Sequence, residues 1–167
     1  MRGRTLFASA TAAVLAVTGL AMTAAQANQD THVQSSAPTR TGQAAVGITV
    51  VERAVTDTLV DLGPTGDSRG DQLAFANPVY NSTNTKKVGR DQGSCVRTAV
   101  GKAWQCSFTT WLPKGSLVVE GPFYDNRDSV LAITGGTGGY SQARGVMRLH
   151  ARNAKGTAFT FRFTILT

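Results

Sequence analysis

Near the C-terminus Phe159, Phe161, Phe163 and Ile165 alternate with Thr160, Arg162 and Thr164. A period of two sends the four apolar side chains to one face of a strand and the polar ones to the other. Such a segment demands a sheet with one face buried. The same β-forming composition recurs upstream in short runs broken by Gly, Asn, Asp or Pro. Strands are expected near 47–56, 72–80, 87–99, 103–112, 116–123, 129–135, 143–151 and 157–166. No window after residue 27 keeps a 3.6-residue apolar period, and there is no internal repeat. Regular strands with turn signals between them imply an all-β sandwich or barrel.

The first 27 residues have the character of a secretion signal peptide. Arg2 and Arg4 precede an uncharged stretch from Leu6 to Ala25, and Ala25-Gln26-Ala27 is a small-x-small cleavage pattern. A membrane anchor would call for more Leu and a stop-transfer flank, so no stable membrane insertion is expected after cleavage. Residues 28–46, rich in Gln, Ser, Thr and Ala, read as a flexible N-terminal arm. Residues 47–167 then form a single β-domain, long enough to bury a core. Loss of Arg2 and Arg4 takes the 17 basic residues to 15, against 10 acidic. The basic residues are scattered, with Lys86-Lys87 the only adjacent pair, so no nucleic acid is expected as a partner.

Export places Cys95 and Cys106 in an oxidising compartment, where a disulfide is the default. A hairpin centred between Val100 and Gly101 sets Cys95 opposite Cys106, within bridging distance. The same register sets Arg97 opposite Trp104, a cation–π pair.

Few residues offer chemistry. The glycine-dense turn 135–139 lacks a Lys-Ser/Thr ending and a following helix, and Ser141 stands where a dinucleotide fingerprint needs Gly. It reads as a structural turn. His32 and His150 stand apart, so neither a zinc site nor a His-dependent triad is expected, and no metal or cofactor is implied. Asp67 to Asp71 reads as a solvated loop without calcium-ligand spacing. Asp57 or Asp61 is a candidate cavity acid/base.

Taken in order, Gly70-Asp71, Phe75-x-Asn77-x-x-Tyr80, Val88-Gly89, Gly93-x-Cys95-Val96, Gly121-Pro122, Leu131-Ala132, Thr134-Gly135-Gly136-x-Gly138 and Arg144-Gly145 resemble the allene oxide cyclase and dirigent proteins. The resemblance covers about residues 47–166. It implies an eight-stranded antiparallel β-barrel of lipocalin-like calycin architecture, in agreement with the strand count.

By the same resemblance Asn77 is a polar anchor whose loss lowers turnover without unfolding the domain, and Arg144 neutralises developing oxyanion charge. Asp57 or Glu52 is the acid/base, and Phe75, Tyr80, Phe123 and Tyr124 are ligand-binding walls. The family's first-strand Glu falls near Thr49, so Glu52 takes the acidic role only through a shifted register. Bridged to Cys106, Cys95 is not the family's free pocket thiol. Allene oxide cyclase activity itself is therefore not expected. The implied function is a secreted barrel that binds a hydrophobic small molecule and steers a stereoselective cyclisation or coupling. As an enzyme it is a cofactor-independent isomerase or cyclase; the alternative is a non-catalytic carrier or envelope-associated binding module. The relatives imply a homodimer or homotrimer, and radical coupling needs a separate oxidase.

Overall fold

The computed structural model describes residues 44–166. The signal peptide, its cleavage site and most of the arm lie outside the described residues. The strands are β1 (Ala45–Arg53), β2 (Thr58–Val60), β3 (Gln72–Asn81), β4 (Lys87–Ala99) and β5 (Ala103–Leu112), then β6 (Gly115–Tyr124), β7 (Ser129–Gly136), β8 (Arg144–Ala151) and β9 (Ala158–Leu166). Strands β3 to β9 pair antiparallel in chain order, and β9 pairs with β1 along its whole length. β1 then meets β3 through Val50↔Asn81, Val51↔Tyr80 and Glu52↔Val79, which closes a barrel of eight strands. β1 starts at Ala45, so Ala45 and Val46, read as part of the arm, are instead paired with Leu166 and Ile165.

The short β2 was not expected. Three exposed residues, Thr58-Leu59-Val60, carry no period; they lie against the first residues of β3, along the edge that β1 occupies further on. The loop expected from Asp67 to Asp71 is solvated only in part, because Ser68 and Asp71 are buried. Asp71 is buried and accepts hydrogen bonds from the Leu62 N–H (2.9 Å), the Ser68 N–H (2.7 Å) and the Ser68 hydroxyl (2.9 Å). One carboxylate thus holds two backbone N–H groups of the loop.

Inward positions of β9 are Phe159, Phe161, Phe163 and Ile165, as the alternation requires. Phe161, Phe163, Leu117, Leu131 and Met147 are fully buried and fill the middle of the barrel. The β4–β5 hairpin has the expected register: Cys95 and Cys106 are paired and disulfide-bonded, and the Arg97 guanidinium lies 3.9 Å from the Trp104 ring centre. Arg97 also forms ion pairs of 2.6 Å with both Asp67 and Asp125, tying two loops to this end of the barrel.

Gly93 stands in one row with Phe75 on β3 and Phe108 on β5, and the two rings meet edge-to-face at 5.6 Å beside it. A Cβ at 93 would run into Phe108 and the Ser107 carbonyl. Gly93→Ala is therefore expected to destabilise the domain by about 2–3 kcal/mol in denaturant unfolding, the cost of overpacking a filled core.

Candidate active site

At the end of the barrel where β1 finishes and β9 begins, the packed interior opens into a cleft. Leu73, Phe75, Phe108, Phe123, Phe159 and Phe161 wall it, together with the Cys95–Cys106 bridge. Its free volume is ≈ 50 Å³, in a cleft whose whole void, mouth included, is ≈ 400 Å³. Glu52 and Asp57 are the two acidic side chains that line it.

Glu52 faces inward because β1 pairs it with Val79 on one side and Phe159 on the other. Both neighbours are apolar, so the carboxyl depends on its side-chain contacts. Asn77 supplies the main one. Its Nδ2 donates to Glu52 Oε1 and to Asp57 Oδ1, both at 2.7 Å. Its Oδ1 accepts from the N–H groups of Val55 (2.9 Å) and Thr56 (3.0 Å) and from the Thr56 hydroxyl (3.1 Å). Five contacts consume the amide entirely. Asn77 thus differs from the ligand anchor expected: it orients Glu52 and Asp57 and pins the turn between β1 and β2.

A residue the motif reading missed completes the site. Asp91 lies between Asn77 on β3 and Thr110 on β5, and all three are buried. With the carboxyl ionised, neither Asp91 oxygen meets a donor, and the Thr110 hydroxyl is also without a partner. A proton on Asp91 resolves the first of these by donating to Glu52. Burial is the largest cause of the Asp91 shift, reinforced by the charges of Glu52 and Asp57, and its carboxyl is pushed up to about 9. Burial likewise pushes Glu52 up to about 7, while the hydrogen bonds from Asn77 and Asp91 hold it lower than burial alone would. The pair binds protons as a unit and retains at least one at neutral pH. The signal for Asp91 was available: it shares strand parity with Cys95, which the family resemblance places in the pocket.

Two of the expected walls, Phe75 and Phe123, line the cleft. Tyr80 does not; it stacks under Arg53, with the guanidinium 3.7 Å from its ring centre. Tyr124 belongs to a wider vestibule of ≈ 540 Å³, which shares Phe123, Leu149 and Phe159 with the cleft. Asp61 is occupied outside the cleft, accepting from the Gly66 N–H at 2.9 Å.

Arg144 is at the opposite end of the barrel. It pairs with Leu166, whereas Glu52 pairs with Phe159, seven residues back along β9. At about 3.3 Å per residue that is roughly 23 Å. The Arg144 guanidinium donates to the Ala143 carbonyl (2.7 Å) in a separate groove of ≈ 520 Å³ that includes Lys114 and Tyr140. It cannot neutralise charge developing beside Glu52.

The fold has solved counterparts. A pyocyanin demethylase is 23% identical and superposes with a TM-score of 0.64, over 72% of this chain and 99% of that one. A pterocarpan synthase dirigent protein is 16% identical, with a TM-score of 0.59 over 73% and 93%. An exo-specific intermolecular Diels-Alderase is 12% identical, with a TM-score of 0.60 over 73% and 98%. At these identities the likeness is one of fold. The family model for Dirigent-like protein matches residues 21–166, and the chain belongs to the dirigent-like protein family.

Proposed function

We propose that this barrel binds a hydrophobic small molecule in the cleft and steers its cyclisation or coupling to one stereochemical outcome, with Glu52 as the catalytic acid. The observation that carries this reading is a buried carboxyl, bonded to Asn77 and pushed up to about 7, among the aromatic walls of a cleft. Aromatic walls hold an apolar substrate in one near-attack shape, and this can supply much of the barrier reduction. Glu52 then donates a hydrogen bond, or its proton, to an oxygen on which negative charge builds, and recovers it when the product forms. Asn77 and Asp91 act as positioning residues, fixing the carboxyl's direction and its protonation. The pterocarpan synthase dirigent protein and the exo-specific intermolecular Diels-Alderase, both similar in fold, support a reading of this kind. Export after Ala27 belongs to the same reading, supported by the disulfide. Radical coupling would need a separate oxidase.

A non-catalytic carrier is the second reading, favoured by the few polar groups in the cleft wall. Gene deletion separates the two. Chiral profiling of the culture medium is expected to reveal one product losing stereochemical purity, or a linear precursor accumulating. Wild-type protein restores the profile, and Glu52→Gln restores it at least about tenfold less well. Activity should also fall as pH rises through about 7, where Glu52 loses its proton. Identical profiles with and without the gene would leave the carrier reading in possession.

A further inference from the structure

The inner cleft is smaller than the molecule it is proposed to hold. Its ≈ 50 Å³ admits a methyl- or vinyl-sized tip, whereas small-molecule sites commonly run to about 300–1,000 Å³. The vestibule, at ≈ 540 Å³, falls within that range. Phe123 and Phe159, packed edge-to-face at 5.8 Å, stand with Leu149 between the two spaces. One ligand reaching both must therefore place its bulk in the vestibule and its tip beyond the aromatic pair.

The charges in the vestibule are unequal. Asp125 is taken by Arg97 (2.6 Å) and by the Trp104 indole N–H (3.1 Å), and Asp128 by His150 Nδ1 (2.7 Å). Among the described residues no carboxylate lies within ion-pair distance of Arg127 or Arg152. Uncharged partners orient both. Arg127 lies 3.9 Å over the Tyr124 ring, and Arg152 Nη1 donates to the Thr160 hydroxyl at 3.3 Å. A guanidinium has five donors, so each retains several for a ligand. The inner cleft is lined by Glu52 and Asp57 and by no basic side chain, so it offers an anionic group no partner.

We propose that the vestibule is an acid-group subsite: the ligand is an amphipathic molecule whose carboxylate, or an equivalent acid group, is held by Arg127 and Arg152. Its apolar end passes Phe123 and Phe159 to reach Glu52. This rests on the ligand-binding reading and fixes the direction in which the ligand lies, with the acid outward and the reacting part inward.

Two fluorescent dyes with one arylamine body test it: 1-anilinonaphthalene-8-sulfonate, which is anionic, and the uncharged N-phenyl-1-naphthylamine. The wild-type protein should bind the sulfonate about tenfold more tightly, as a charge-assisted contact to Arg provides. Arg127→Gln with Arg152→Gln should bring it to the level of the neutral dye, whose affinity stays within about twofold. Arg144→Gln, at the far end of the barrel, should alter neither. Equal affinity of the two dyes for wild type would overturn the acid-group subsite and leave ligand binding standing. So would sulfonate binding that depends on Arg144 instead. If neither dye binds, the ligand-binding reading falls and this inference falls with it.

Discussion

Asp91→Asn should make the protein more stable at pH 9 than the wild type, while leaving it nearly unchanged at pH 4. A carboxyl whose folded pKa is raised holds a proton that the unfolded chain releases. Between the unfolded value of 3.8 and the folded value of about 9, the native state binds more protons than the unfolded one. Stability must then fall as pH climbs through that window, and the loss is complete above it. Asparagine has the same shape, cannot ionise and can still donate to Glu52. At pH 4 both side chains are largely neutral and the difference closes. A gain in melting temperature of at least about 5 °C at pH 9 is expected. A wild type that gains nothing from the substitution there would mean that Asp91 ionises without cost.

Asn77→Ala should cost about 3–4 kcal/mol of stability, measured by denaturant unfolding. It removes both donors from Glu52 and Asp57 and leaves the Val55 and Thr56 N–H groups unpaired. Asn77→Asp should cost a similar amount at neutral pH by a different route, adding a fourth carboxyl to the cluster of Glu52, Asp57 and Asp91. Loss of stereochemical control in either variant is expected to accompany loosening of the β1–β2 turn, because one amide serves both. If Asn77→Ala unfolds like the wild type while product ratios change, Asn77 is instead an anchor for the ligand.

Strand faces were legible in this sequence because a period of two is a local property. The β9 alternation, the eight barrel strands and the Cys95–Cys106 register could all be read from short windows. The closure of β1 onto β3 could not, since it depends on residues about 30 apart whose pairing no local pattern records. The site divides in the same way. Glu52, Asp57 and Asn77 were identified and are in contact. Arg144 was placed with them because a motif records order along the chain, not which end of a barrel a strand begins from. Tyr80 and Tyr124 sit one residue out of phase with the inward positions Val79 and Phe123, enough to turn each ring away from the cleft. Asp91 was passed over because a lone carboxylate in a Gly- and Arg-containing run resembles a solvated face. Only its parity with Cys95 marks it as internal.

On this reading a proton resides inside the barrel at neutral pH, shared by Glu52 and Asp91 within reach of the cleft. Carbon-13 NMR titration of the side-chain carboxyls reads that proton directly. The resonance of Glu52 is expected to titrate near 7, with Asp91 following well above the ordinary carboxylate range, and Asp91→Asn should shift the Glu52 transition. If both carboxyls lose their protons near pH 4, as in a solvent-exposed peptide, there is no buried acid and the catalytic reading is contradicted.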